Sequence, residues 1–269
     1  MDVYTNWEGQ LIENYGLREG KNLFKIAREY TEEKYSSLFE RKKQLQYLVS
    51  KLLENYPIQY LINKAWFYEY TFYVDERVLI PRPETEELVE MAINLIPPNA
   101  NVLDIGTGSG CIAITLGKKT NATITGLDKS FDALEVAKKN AQWLKTRIKF
   151  QQLDILDKND QNQLTDQYDL IISNPPYISI YEKGRMGQNV LNREPDSALF
   201  VDGPDVLIFY KEILKLAERI LKKDGMVLFE SNEYNAHQVL RLINTYKKFS
   251  GSYLYNDLSG KPRMVLFKK

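Results

Sequence analysis

From Asn101 onward, short β-type runs alternate with longer amphipathic runs, and this alternation restricts the possible folds more than any other feature of the chain. The β-type runs are Asn101–Ile105, Ala122–Leu127, about Ile148–Gln152, Tyr168–Ser173 and Met226–Glu230. Between them, Leu134, Ala137, Ala141 and Leu144 share one helical face, and Val206, Phe209, Ile213, Leu216 and Ile220 share another. A further helix is expected around Val239 to Ile243, and two closing strands near Tyr253 and over Met264–Phe267. Strands joined through helices pair in parallel, and the crossover helices cover both faces of the sheet. The expectation is an α/β fold with a seven-stranded, mostly parallel sheet.

The first part of the chain reads differently. Leu45, Leu48, Val49, Leu52, Leu53 and Tyr56 follow the helical i, i+3, i+4, i+7 rule, and Leu23, Ala27 and Tyr30 do so more weakly. Pro57 is expected to end that pattern. Ala65–Val74 is almost entirely aromatic and β-branched, so it reads as one or two strands forming a hairpin linker. Packing is the expected role of its rings, with a stacking platform for bases as the alternative. In Ile80-Pro81-Arg82-Pro83-Glu84-Thr85-Glu86 the prolines hold the chain extended, and Pro83 can open a helix whose first turn carries acids. That helix is expected to run to about Ile96 and to stop at Pro97-Pro98. The expected division is residues 1–80, helical with the hairpin linker, and residues 81–269, the α/β domain.

Asp104-Ile105-Gly106-Thr107-Gly108-Ser109-Gly110 lies between the first strand of the alternation and its helix. Glycines there permit a tight turn and close approach to a ligand, and the next helix adds free N–H donors. A dinucleotide fingerprint needs its third glycine one residue later, where Cys111 stands, and no P-loop Lys-Ser or Lys-Thr pair follows. The D-x-G-x-G-x-G run resembles the first motif of class I methyltransferases, whose Rossmann-like fold binds S-adenosylmethionine. Asp128, at the end of the second strand, can accept hydrogen bonds from two ribose hydroxyls. By the same resemblance Asp154 and Ile155, after the third strand, lie near the adenine. The implied cofactor contacts are therefore Asp104, Gly106, Thr107, Gly108, Ser109, Gly110, Asp128, Asp154 and Ile155, with Asn174 at their edge. Cys111 is expected to be a packing residue.

Asn174-Pro175-Pro176-Tyr177 follows the fourth strand, on the same sheet edge as the glycine loop. A rigid turn would suffice to explain an Asn-Pro there. The residue types also suit a chemical task. A planar NH2 group, on glutamine, adenine or cytosine, has a delocalised lone pair and is a poor nucleophile. Two in-plane acceptors can hold its N–H bonds and aim the lone pair. The Asn174 side-chain oxygen is one, and the Pro175 carbonyl, held by consecutive prolines, is the second. Tyr177 can stack on the planar group. Positioning and electrostatics then supply most of the acceleration, without a metal or covalent intermediate.

Charge and composition limit the alternatives. The 36 basic and 36 acidic side chains cancel, whereas a dedicated nucleic-acid binder usually has a basic excess. A single cysteine, Cys111, excludes an intrachain disulfide, and a single histidine, His237, makes a zinc site unexpected. No signal-peptide core and no run of about 18 apolar residues is present, so a cytoplasmic location is expected.

Three further stretches carry a closer resemblance. Leu79-Ile80-Pro81-Arg82-Pro83-Glu84-Thr85-Glu86, Arg193-Glu194-Pro195-Asp196-Ser197-Ala198-Leu199 and Asp257-Leu258-Ser259-Gly260-Lys261-Pro262-Arg263 are similar to stretches of the protein-glutamine N5-methyltransferases that modify peptide release factors, the HemK/PrmC family. The resemblance is strong from Pro57 onward and weak before it. It implies methyl transfer from S-adenosylmethionine to the glutamine of the Gly-Gly-Gln loop of class I release factors, with S-adenosylhomocysteine as product. It also implies an N-terminal domain that recognises the substrate. Substrate contacts are expected from Asn174, Pro175, Pro176, Tyr177, Arg82 and Glu194, the last two alternatively forming a structural ion pair. Tyr181 to Asn189 matches no motif and is expected to form a mobile loop over the substrate. A monomer is expected, with no membrane or direct nucleic-acid partner. The competing readings are an adenine-N6 or cytosine-N4 nucleic-acid methyltransferase, which uses the same four-residue motif, and a non-catalytic cofactor-binding module.

Overall fold

The computed structural model describes residues 3–179, 193–201 and 203–269. The loop expected over Tyr181 to Asn189 lies outside the described residues. The chain groups into two compact units, one through Lys64 with Val74–Glu76 and Arg193, the other from Ala65–Tyr73, Arg77 onward and Glu194 onward.

The first unit is helical: α1 (Val3–Tyr15), α2 (Leu17–Lys34), α3 (Leu38–Leu53) and α4 (Ile58–Ile62). The stripe read from the sequence is its core, with Leu45, Leu48, Val49 and Leu52 packed among Leu11, Leu23, Phe24 and Ala27. Gly20 lets α1 and α2 approach, since a Cβ there would stand 2.6 Å from the Ile12 backbone. The helix carrying that stripe, α3, ends at Leu53, just ahead of Pro57. Pro57 caps one more turn, α4, because a proline is tolerated at a helix start but not in its interior.

The second unit opens with a hairpin, β1 (Ala65–Phe67) and β2 (Tyr70–Phe72), paired antiparallel. Phe67 and Phe72 meet edge to face at 6.0 Å and are fully buried beside Leu88 and Val89. Burial on this scale contributes roughly 2–3 kcal/mol per ring, and the hairpin groups with the α/β unit. α5 (Pro83–Leu95) has Pro83 in its first turn beside Glu84 and Glu86.

There follow β3 (Asn101–Ile105), α6 (Cys111–Lys119), β4 (Thr123–Asp128), α7 (Phe131–Trp143), β5 (Lys149–Gln152), α8 (Lys158–Asn162), β6 (Tyr168–Ser173) and β7 (Ile178–Ser179). After them come α9 (Asp196–Leu199), β8 (Phe200–Val201), α10 (Ile208–Ile220), β9 (Leu221–Glu230), α11 (Ala236–Leu240), β10 (Gly251–Asn256) and β11 (Pro262–Lys268). The seven-stranded sheet has the order β10-β11-β9-β6-β3-β4-β5. Its neighbours run parallel except at β11, which is antiparallel to both β9 and β10.

Period-two alternation divides the core between the two faces. Leu103, Ile105, Ile171, Val227 and Phe229 pack against Phe209 and Ile213 of α10. Val102, Leu170, Ile172 and Leu228 pack against Leu88 of α5 and Ile112 of α6 on the other face. The strand order reverses direction at β3, so the ends of β3 and β6 border the crevice where open α/β sheets bind ligands. Among the described residues no helix is long and apolar enough to cross a membrane.

Candidate active site

The glycine loop leaves β3 and is fastened to the end of β4. The N–H groups of Gly106 and Thr107 both donate to the Leu127 carbonyl, at 2.9 and 2.8 Å. The next N–H, that of Gly108, donates to Asp128 Oδ2 at 2.9 Å, and the Ser130 N–H donates to Asp128 Oδ1 at 2.9 Å. Each Asp128 oxygen thus keeps a lone pair beyond its backbone donor. Burial pushes the Asp128 carboxyl up, and those two N–H groups pull it back.

Asp104 has a supporting position. It is fully buried, and its Oδ2 accepts from Thr107 Oγ1 at 2.7 Å. Burial pushes its carboxyl up to about 7, against the Thr107 and Ala113 hydrogen bonds, and the Asp128 charge adds to the rise.

An open cleft runs along this sheet edge, bordered by Gly106, Gly108, Asp128, Asp154 and Ile155 and by Asn174, Pro175 and Pro176. A Cβ at Gly106 or Gly108 would meet nothing within 4 Å, so both glycines face open space. Gly110 does not: a Cβ there would lie 2.9 Å from Ile114 and 3.2 Å from Ala137. Thr107 and Ser109 are 3% exposed and turn inward as well. The loop therefore has a cleft side, Gly106 and Gly108, and a packing side, Thr107, Ser109 and Gly110. Asn140 secures the packing side, donating to the Ser109 and Tyr73 carbonyls at 2.9 Å each and accepting from the Tyr73 N–H at 2.7 Å. Asp154 Oδ1 accepts from the Leu156 N–H at 2.8 Å, which shapes the turn after β5. Burial pushes the Cys111 thiol up to about 12, which leaves no thiolate nucleophile.

Ser173 Oγ donates to the Ile105 carbonyl at 2.7 Å and ties β6 to β3 just before Asn174. Tyr177 lies off the cleft wall, against the core on the α10 face. Its hydroxyl is held well above the usual tyrosine range by burial, with the Glu230 charge adding to this. Arg82 and Glu194 do not border the cleft. Arg82 Nη2 lies 2.5 Å from Glu194 Oε1, and the Ile80 N–H donates to Glu194 Oε2 at 3.3 Å. The pair straps the proline linker to the segment before α9, which is the structural alternative for these two residues.

A family model described as a methyltransferase domain matches residues 96–259. A release factor glutamine methyltransferase from Flavobacterium psychrophilum is 43% identical over 228 residues, covering 82% of this chain and 79% of that protein. Another from Streptococcus pneumoniae is 35% identical, covering 98% of this chain and 96% of that protein. The chain belongs to the release factor glutamine methyltransferase family. The crystal structure of a methyltransferase from Pyrococcus furiosus shares the fold, with a TM-score of 0.54 at 17% identity over 74% of this chain and 88% of that one.

In this release factor glutamine methyltransferase family member, two site-adjacent residues were not singled out from the sequence. Thr85 and Glu230 are 3% and 1% exposed and hydrogen-bonded to each other, and Thr85 accepts from the Asn174 side chain at 3.2 Å. Thr85 stands inside the proline-linker motif, and Glu230 is an acid at a strand end, as Asp128 is. Those were the available signals. The cleft walls from Val78, Leu79, Pro195 and Ala198 carry no chemical signature.

Proposed function

We infer that this chain transfers a methyl group from S-adenosylmethionine to the side-chain amide nitrogen of the glutamine in the Gly-Gly-Gln loop of class I release factors, releasing S-adenosylhomocysteine. The observation that carries the reading is the position of Asn174-Pro175-Pro176 in one cleft with Gly106, Gly108 and Asp128, in a chain related over most of its length to release factor glutamine methyltransferases.

The cleft suits the methyl donor. Gly106 and Gly108 present open backbone where a side chain would intrude, and Asp128 offers two oxygens already oriented by backbone donors. Asp154 and Ile155 border it as well, where a planar base would rest. S-adenosylmethionine supplies an electrophilic sulfonium methyl. The protein's task is to present a weak nucleophile to it. Asn174 Oδ1 and the Pro175 carbonyl accept the two amide N–H bonds and hold the nitrogen in place. The N–CH3 bond forms as the S–CH3 bond breaks, and the nitrogen, now strongly acidic, passes a proton to water. Tyr177, neutral and packed against the core, supports the Pro175-Pro176 segment from behind.

The test is incubation with S-adenosylmethionine and a class I release factor, followed by mass spectrometry of the Gly-Gly-Gln peptide. A single methyl on the glutamine is expected. No methyl gain despite demonstrated cofactor binding, or incorporation into DNA or RNA instead, would overturn the reading.

A further inference from the structure

A side-chain amide has two ends of nearly equal shape and opposite hydrogen-bonding sense. Asn174 can hold a substrate NH2 group only if its oxygen faces the cleft. With its own NH2 turned outward it would oppose donor to donor. Something must select the orientation, and neither proline can, since prolines act on the backbone.

We propose that Thr85 and Glu230 are positioning residues that set this orientation, forming a one-way hydrogen-bond relay behind Asn174. The proposal rests on the reading above of Asn174 as the amide acceptor. β6 and β9 are paired neighbours, with Ser173 opposite Phe229, so the next residues along are Asn174 and Glu230. Thr85, in the first turn of α5, hydrogen-bonds to both side chains, and the Asn174 side chain also lies within hydrogen-bond reach of Glu230, which likewise demands Nδ2–H. Its Oγ1 donates to Glu230 Oε2 at 2.7 Å and accepts from Asn174 Nδ2 at 3.2 Å.

The sense of the relay follows from donor count. A carboxylate only accepts, and a threonine hydroxyl has a single hydrogen. With Glu230 ionised, that hydrogen must go to Glu230. The Thr85 lone pair then faces Asn174, which must answer with Nδ2–H and leave Oδ1 for the substrate. Thr85 and Glu230 are buried, so water does not compete to scramble the order.

A protonated Glu230 removes the constraint. It can donate to Thr85, freeing the threonine hydrogen to bond Asn174 Oδ1 and reverse the amide. Burial pushes the Glu230 carboxyl up to about 7. The groups facing it are Thr85 and Glu84 from α5, Arg263 from β11, and Asn174 and Tyr177 from the segment after β6. Tyr210 of α10 donates to its main-chain carbonyl at 3.1 Å, and Cys111 of α6 lies within range of its charge. Thr85, Arg263 and Asn174 favour the ionised form, and Glu84 opposes it. Turnover should therefore climb as pH rises through about 7.

The test is kcat, KM for the release factor and Kd for S-adenosylmethionine in Thr85→Val, Thr85→Ser and Glu230→Gln, with kcat measured across pH at saturating cofactor. Thr85→Val keeps the shape but not the hydroxyl, and kcat should fall by at least about tenfold with cofactor Kd within about twofold. Thr85→Ser restores the hydroxyl and should stay within about threefold of wild type. Glu230→Gln should lose the climb in kcat through neutral pH. A Thr85→Val enzyme with wild-type kcat, or a Glu230→Gln enzyme with the wild-type pH profile, overturns the relay. If Thr85→Val does not fold, Glu230→Gln and Thr85→Ser decide. Asn174→Ala in the same assay separates the two levels. Wild-type turnover there removes the underlying reading of Asn174, whereas an inactive Asn174→Ala beside normal Thr85→Val and Glu230→Gln removes only the relay.

Discussion

The Gly108 N–H donates a 2.9 Å hydrogen bond to Asp128 Oδ2, so the glycine loop after β3 and the acid ending β4 form one unit. A change at Asp128 should disturb both the ribose acceptor and the loop. Asp128→Ala is expected to weaken S-adenosylmethionine binding by about 2–3 kcal/mol, or on the order of a hundredfold in Kd. Isothermal titration would read it directly, and a Kd within about threefold of wild type would contradict the assigned role.

Gly108 and Gly110 both have positive φ, +53° and +81°, but they face opposite ways. Gly110→Ala adds a clash with Ile114 and Ala137 to backbone strain and should cost about 2–4 kcal/mol of stability. Gly108→Ala meets open space, so its stability loss should be smaller, about 1 kcal/mol, and its larger effect should be on cofactor affinity. Urea unfolding together with cofactor titration distinguishes them. Equal effects of the two variants in both measurements would show that the loop has no such sidedness.

Removing the Arg82 side chain leaves the Glu194 carboxylate, 2% exposed, without its cation. Arg82 is itself about a third exposed, so solvent screens part of the pair. Arg82→Ala should cost about 1–3 kcal/mol, and Glu194→Gln less, because the amide can still accept from the Ile80 N–H. Equilibrium unfolding gives the answer. Unchanged stability with a raised KM for the release factor would return both residues to substrate contact.

Asp104 and Glu230 each have a carboxyl raised to about 7 by burial. A group raised above its unfolded value binds its proton more tightly when folded, so its contribution is full at acid pH and is lost as pH climbs to about 7. Each should therefore lower Tm progressively from about pH 4 to about pH 7, relative to Asp104→Asn or Glu230→Gln. Differential scanning fluorimetry across that range should show the gap between variant and wild type shifting in the variant's favour. A gap independent of pH would mean that neither carboxyl titrates there.

Much of the fold was legible because it is periodic. Strand-type runs such as Asn101–Ile105 and Tyr168–Ser173 recur between runs of helical period, and both faces of the sheet are buried as that recurrence requires. The short elements were not legible. α4, α8 and the two-residue pair β7 and β8 are too brief to show a period. Of the residues singled out for their chemistry, Gly106, Gly108, Asp128 and Asn174 border the cleft. Thr107, Ser109 and Gly110 pack inward, a difference of side that residue type does not record.

By itself, the sequence determined the class of fold and the edge of the sheet on which the glycine loop and Asn174-Pro175-Pro176 stand. Those follow from local pattern, which a linear chain records. The tertiary structure alone decided which strands are neighbours, and so which distant side chains meet. Thr85 lies 89 residues from Asn174 and 145 from Glu230, yet it hydrogen-bonds to both. Parallel pairing of β6 with β9 and the docking of α5 on that face create the contact, and no periodicity along the chain encodes it.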